Sequence, residues 1–284
     1  MASDNVQHVQ IRTSLPVICT TMEDSGCNPL TKHQVAQLFM KITSQFEKDH
    51  PGNFCGASVI IAKSRTSKSI TIDHNLKLAA ELQEKYPHFF VGFDLVGQED
   101  LGRPLVDFAQ ELIDLRKVHP NLQFFFHAGE TDWHESAADL NIIDAILLNT
   151  TRIGHGYSIT KHPQALKLLK EKDIPIEVCP ISNQVLGLVN DLRNHPASHL
   201  ILQGYPIVIA SDDVASWGAH GLSDDFYEAF MGMSARNSDL KLLKKLVWNS
   251  IKYSALDNRR KEKCQRIVEK NWDVFLEAFT NSLP

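Results

Sequence analysis

The sequence predicts an α/β fold on a parallel sheet, and three observations predict it. Short β-branched or aromatic runs recur along the 284 residues, separated by segments of helical period. Several runs are apolar on consecutive residues, the pattern of strands covered on both faces. The runs number seven, at 8–14, 56–64, 88–97, 122–130, 151–157, 174–182 and 205–213. Repetition on this scale reads as a (β/α) barrel. A closed barrel has eight units, so an eighth is expected to lie before Met1.

The elements follow in order. The run HVQIRTS opens the structured part at His8. In 32–48, Val35, Leu38, Phe39, Ile42 and Phe46 fall on one helical stripe. GASVIIAKS and HFFVGFDLVG are the second and third strands. Leu105, Phe108, Leu112 and Leu115 give 104–117 a helical face. LQFFFHAGE and TRIGHGY come next. Pro163 and Pro196 each sit where a first helical turn begins, suiting proline's fixed φ and missing N–H. IPIEVCPIS and YPIVIASDD complete the strands. Ser223, with Asp224 and Asp225, reads as a helix start, and two further helices are predicted over 238–254 and 258–279. No linker divides the chain, which reads as a single domain over 1–284, incomplete at the N-terminus.

Composition excludes several classes of function. A net charge of -5, with no basic stripe, argues against nucleic acid or an anionic membrane as partner. Arg259, Arg260 and Lys261 are mixed with Glu262 and read as a solvated helix face. No apolar stretch approaches the roughly 20 residues that span a bilayer. The N-terminus has no apolar region behind a basic start, so no signal peptide is read there. Five cysteines with no Cys-x-x-Cys do not make a disulfide framework. Cys179 reads as a buried small residue, and Cys19 and Cys27 are near enough in sequence to pair, which spacing alone leaves open. Phosphate-loop, dinucleotide and serine-hydrolase motifs are absent. His195, His162 and the remaining histidines, His8, His88 and His220 among them, read as helix-start, surface or edge residues.

Five successive runs end on a polar residue or glycine: Gly97; His127 with Glu130; His155; Ser182 with Asn183; and Asp212 with Asp213. In a barrel, those C-terminal tips meet on one face. Imidazole and carboxylate are good Zn²⁺ ligands, and a metal lowers the pKa of bound water to about 7. A further carboxylate can shuttle a proton. The tips therefore point to metal-assisted hydrolysis. His127 and Asp212, with His155, are the candidates for the metal or its water, and Glu130 is the acid/base.

The motifs FHAGET, RIGHGY, EVCPISN and SDD resemble the adenosine deaminase family, and GFDLVGQED, LSDDFYEAF and NSIKYS resemble its secreted, growth-factor-related branch. The resemblance covers essentially the whole chain. It implies a TIM barrel of the metal-dependent hydrolase type with one catalytic Zn²⁺, seven of its eight strands lying in this sequence. His127 and Asp212 match metal ligands. Glu130 matches the residue that protonates purine N1, and His155 the base acting on the attacking water. Asp213 and Gly97 match substrate contacts. The implied reaction is hydrolysis of adenosine and 2'-deoxyadenosine to inosine and 2'-deoxyinosine plus ammonia. Deamination of a nucleotide is disfavoured, since no extra Arg/Lys cluster is evident.

The departures from the family pattern carry expectations too. The family's first strand bears a His-x-His pair of zinc ligands, and no two of these 13 histidines are two residues apart. A histidine often found near 64 is replaced by Ser64-Arg65-Thr66, and a Glu-x-Arg on the first strand reads Gln10-Ile11-Arg12. The alternative expectation is thus a truncated, catalytically impaired chain that binds nucleoside or a partner without turnover. The branch is secreted and dimerises through an N-terminal part. Without that part and a signal peptide, this form is expected neither to dimerise in that way nor to leave the cytoplasm.

Overall fold

Strands whose residues are apolar in succession need cover on both sides, and the chain supplies it by alternating strand with helix. The computed structural model describes residues 4–23, 26–219 and 221–282. Parallel strand β1 (Val9–Thr13) comes first, followed by an antiparallel hairpin, β2 (Cys19–Glu23) and β3 (Gly26–Pro29). A Cys19–Cys27 disulfide clamps the hairpin, resolving the pairing left open above. Alternation then proceeds through α1 (Lys32–Asp49), β4 (Ala57–Ser64), α2 (Ser69–Lys85), β5 (Phe90–Val96) and α3 (Ala109–Val118). It continues through β6 (His127–Ala128), α4 (Ala137–Leu147), β7 (Ile153–His155), α5 (Pro163–Glu171) and β8 (Ile176–Val178). Two helices, α6 (Pro180–Val185) and α7 (Pro196–Leu202), precede β9 (Ile207–Ile209). Four more close the chain: α8 (Val214–Trp217), α9 (Leu222–Gly232), α10 (Leu240–Lys252) and α11 (Asn258–Asn281).

The seven expected parallel strands are present in chain order. β1, β4 and β5 pair in parallel, as do β6, β7, β8 and β9. A parallel bridge from Phe93 to Phe124 joins the two groups, with Phe93 N–H donating to Gln123 O and Phe125 N–H to Phe93 O, each at 3.0 Å. Among the described residues no ladder joins β9 back to β1.

The run of three phenylalanines follows from strand periodicity, in which successive side chains point to opposite faces. Phe124, Phe126 and Ala128 join the large core under the helices, with Phe93, Ile153 and Ile176. Phe125 instead joins a separate inner cluster with Ile60 and Val91. His127 shares the inner face with Phe125. Above that apolar floor lies a buried ion network. Arg12 reaches Asp94 at 2.7 Å and Glu177 at 2.9 Å, and Arg152 also bonds Glu177. Arg152 further donates to Gln10 Oε1 at 2.7 Å. A carboxylate held between two guanidiniums in this way is one of the few forms in which charge is tolerated inside.

Several boundaries differ from expectation. The predicted strand 122–130 narrows to His127–Ala128 plus the Phe124 bridge. The run to 182 stops at Val178, because Pro180 opens α6. The single helix expected over 104–117 is a 3-10 turn, Leu105–Phe108, leading into α3. Helix α9 starts at Leu222 rather than after Ser223. The Ser223 N–H donates at 3.0 Å to Asp4, a cap supplied from the opposite end of the chain.

Candidate active site

Four of the parallel strands are followed by a left-handed residue at or just past the C-terminal tip. Gly97 has φ 94°, Gly129 74°, His155 61° and Asp212 50°. Glycine adopts this region freely, whereas histidine and aspartate are strained there, and such strain concentrates at functional sites. Gly129 has a second constraint. A Cβ there would lie 2.1 Å from Ile142 Cδ1, so the backbone passes too close for any side chain.

The turns bring four predicted residues together. His127 and His155 stand on neighbouring strands with ring centroids 5.1 Å apart. The His155 Nε2 lies 3.3 Å from Glu130 Oε1 and 3.8 Å from Asp212 Oδ2. One nitrogen each from His127 and His155 and one oxygen from Asp212 all lie within 4.8 Å of one another. Both imidazoles are buried, while Asp212 is exposed. Gly97 occupies the tip of β5. Asp213 immediately follows Asp212 at the start of α8, is exposed, and makes no side-chain hydrogen bond among the described residues. No contact draws either one into the cluster.

Buried groups hold the cluster in place, and two of them, Asp94 and Glu99, are not singled out by the sequence. Asp94 Oδ2 accepts from His127 Nδ1 at 2.7 Å, and Asp94 Oδ1 accepts from the His127 N–H at 3.0 Å. The ring's Nε2 is thereby left to face the site. Burial would push the Asp94 carboxyl up, but His127 and Arg12 beside it hold its pKa below the ordinary value. Burial likewise opposes charge on His127, yet Asp94 raises its pKa. Glu99 accepts from the N–H groups of Gly129, at 3.0 Å, and Glu130, at 2.6 Å, and from Asn141 Nδ2 at 2.6 Å. Arg65, fully buried, lies 3.6 Å from Glu99 and donates to the His127 carbonyl at 2.8 Å. Ser182 donates to Asp212 Oδ2 at 2.8 Å, and Asn183 meets His155 Nδ1 at 3.2 Å. Asp94 did leave a signal, as a lone carboxylate inside the apolar run VGFDLVG.

His195 corrects the bland reading given to it. It caps α7 as expected, but it is also 2% exposed and hydrogen-bonded to Asn183 behind His155. His162 is likewise tied inward, to Asp139 at 2.8 Å. His220 lies outside the described residues. A hollow of about 460 Å³ on the helical side, lined by Leu112, Ile113, Phe124 and Leu147, stands apart from the strand tips.

Sequence comparison decides the lineage. The adenosine deaminase family profile matches residues 1–271. The chain belongs to the adenosine deaminase family. It is 46% identical over 280 residues to the adenosine deaminase of Lutzomyia longipalpis, covering 98% of this chain and 53% of that protein. It is also 46% identical over 276 residues to human adenosine deaminase 2, covering 96% of this chain and 52% of that protein. The chain thus spans about half the length of the curated relatives it matches. Among solved structures it resembles the adenine deaminase of Arthrobacter aurescens, with a TM-score of 0.71 at 22% identity over 94% of this chain and 75% of that one. It also resembles an amidohydrolase of Burkholderia ambifaria with bound Zn, with a TM-score of 0.74 at 20% identity over 99% and 72% of the two chains. At those identities the likeness shows the fold alone, a TIM barrel.

Proposed function

We propose that this chain carries the site of a zinc-dependent adenosine deaminase, converting adenosine and 2'-deoxyadenosine to inosine and 2'-deoxyinosine with release of ammonia. The observation that carries the reading is the convergence of His127, Glu130, His155 and Asp212 at adjoining strand tips. The donor set suits zinc. Imidazole nitrogen and carboxylate oxygen are ordinary Zn²⁺ ligands, and a carboxylate behind the second nitrogen of a ligating histidine is its usual support. His127 Nε2 and Asp212 would hold the ion, which would supply a Lewis acid and an acidified water. Glu130, its backbone fixed by Glu99, would deliver a proton to purine N1. His155 would face the attacking water. Gly97 and Asp213 would contact the purine from the flanking tips. The Cys19–Cys27 disulfide fits residence in an oxidising compartment rather than the cytoplasm.

A second reading has its own observation. Catalytic zinc commonly has three protein ligands, and this sequence contains no His-x-His pair to add to His127 and Asp212. On that reading the chain binds nucleoside without turnover. Zinc content by atomic absorption and ammonia release from adenosine separate the two. Stoichiometric zinc with turnover supports the deaminase. Nucleoside binding by calorimetry, with neither zinc nor ammonia, supports the second reading.

A further inference from the structure

At the end of the barrel opposite the strand tips, two free thiols are neighbours. Cys55 precedes β4, and its N–H donates to Gln7 O at 2.6 Å, which fixes its backbone where β1 and β4 begin. Cys264 lies near the start of α11. The two are 1% and 2% exposed. They share a small apolar cluster with Ile251, Leu256 and Ile267. Cys264 and Ile267 are the buried residues of α11, so this cluster seats the last helix on the barrel. Two polar contacts assist: Lys263 reaches Glu47 at 2.6 Å, and Arg260 Nη1 donates to the His88 carbonyl at 3.0 Å. Each thiol is the leading influence on the ionisation of the other, which requires adjacent sulfurs. Hydrogen bonding from the Cys264 thiol holds the Cys55 pKa below its ordinary value despite burial, and Lys263 and Arg260 add to the fall. The same hydrogen bond, then burial, raises that of Cys264.

We propose that Cys55 and Cys264 are a latent disulfide, which a low-molecular-weight disulfide of the glutathione type closes to staple helix α11 to the entry of strand β4. The exchange takes two steps. The Cys55 thiolate attacks one sulfur of oxidised glutathione, forming a mixed disulfide and releasing the first glutathione as its thiolate, which takes up a proton. Cys264 then gives its proton to solvent and attacks the Cys55 sulfur, expelling the second glutathione. Two protein thiols are oxidised and one glutathione disulfide is reduced to two thiols. Cys55 is the nucleophile because its thiolate is the better stabilised of the pair. Both sulfurs are buried, so the exchange waits on α11 lifting from the barrel. A helix seated by two buried side chains belongs to the segments that open locally with least effort. Once closed, the bond joins residues roughly 200 positions apart and removes much of the freedom of the unfolded chain. Cys179, the third free thiol, follows β8 at the other end of the barrel and is no partner for either. The Cys19–Cys27 bridge shows that the chain already carries a bond of this kind. No part of the inference depends on the deaminase reading.

The test is thiol mapping of the folded 284-residue chain after equilibration with oxidised glutathione. The sample is quenched in acid, unfolded, alkylated without reduction, digested and analysed by mass spectrometry. The expected result is a Cys55–Cys264 cross-linked peptide, with alkylatable thiols falling from three to one, Cys179. Excess reduced glutathione should restore the pair while α11 remains able to open. Amide hydrogen exchange in α11 should be slower in the oxidised chain than in the reduced one. Cys264→Ser removes the resolving thiol, so Cys55 should stop at the mixed disulfide and carry one glutathione. Should that variant not fold, the wild-type map decides the matter alone. Cys55 and Cys264 both still alkylated after equilibration would overturn the proposal, as would either of them paired with Cys179. None of these readouts needs zinc or turnover, so a failure of ammonia release would count against the deaminase reading and leave this result standing.

Discussion

Asp94 Oδ2 lies 2.7 Å from Nδ1 of His127 and, at the same 2.7 Å, accepts from Arg12 Nε. One buried oxygen thus links the ion network in the barrel interior to the ring that faces the site. A supporting carboxylate of this kind fixes a ligand's tautomer and raises its basicity. Asp94→Asn should therefore weaken zinc binding by about 10- to 100-fold, the usual cost of losing such a partner. Competitive titration with a zinc-sensitive dye would measure it, and an unchanged affinity would separate Asp94 from the metal site.

The network itself should govern stability. Glu177 lies between Arg12 and Arg152, and Glu177→Gln would leave two guanidiniums with no shared counter-charge. A loss of about 3 kcal/mol is expected, toward the low end for breaking a buried pair, because Arg12 keeps Asp94. Urea unfolding reads this out.

Acid should act through the same groups. Burial pushes the Glu177 carboxyl up, but Arg12 and Arg152 hold its pKa well below the ordinary value in the folded chain. A depressed folded pKa gives stability that is present above the unfolded value and lost as pH falls. The wild type should lose stability progressively below its ordinary value of 4.5, and Glu177→Gln should show a shallower loss over that range. Parallel profiles for the two proteins would contradict this.

Asp225 should act in the opposite direction. It is buried, its Oδ1 accepts from the Ile181 N–H at 3.1 Å, and its Oδ2 has no hydrogen-bond partner among the described residues. Burial pushes its pKa up from 3.8 to about 7, with Asp224, Asp212 and Glu228 adding to the rise. A raised folded pKa gives stability that is complete below the unfolded value and lost as pH climbs to the folded one. Asp225→Asn keeps the acceptor for Ile181 and removes the titration. Its stability should exceed that of wild type at neutral pH, with the difference opening between pH 3.8 and about 7. Thermal melts across that window test it.

Gly129→Ala should be among the costlier single changes at the site. It places a methyl against Ile142 and an alanine at φ 74°. Backbone strain alone is worth about 1–3 kcal/mol. The double variant Gly129→Ala with Ile142→Ala should recover the steric part when compared with Ile142→Ala alone. A fully additive double-variant cycle would show that the two positions do not clash.

Much of this was legible in the chain. Consecutive apolar residues marked the seven strands. Their polar ends gave His127, Glu130, His155 and Asp212, because strand tips are punctuated locally by residue type. The boundaries of the 122–130 run were misjudged because apolarity reports burial, whereas strand length depends on which partner backbone runs alongside. The hairpin bearing Cys19 and Cys27 was missed, having no apolar face to announce it. Asp94 and Glu99 carry no motif of their own, Arg65 stands out only within Ser64-Arg65-Thr66 as a departure from the family pattern, and His195 reads as an ordinary helix-start residue.

Sequence by itself determined which residues alternate between the helical core and the barrel interior, and so which side chains could reach a common rim. Only the tertiary structure decided who meets whom there: Asp94 behind His127, Glu99 under Glu130, and His195 through Asn183 to His155. The reason is physical. Periodicity is set by the local backbone, two residues per repeat in a strand. A contact between residues 28 or 33 positions apart depends on the register and curvature of neighbouring strands, which the whole sheet and its helical cover impose together.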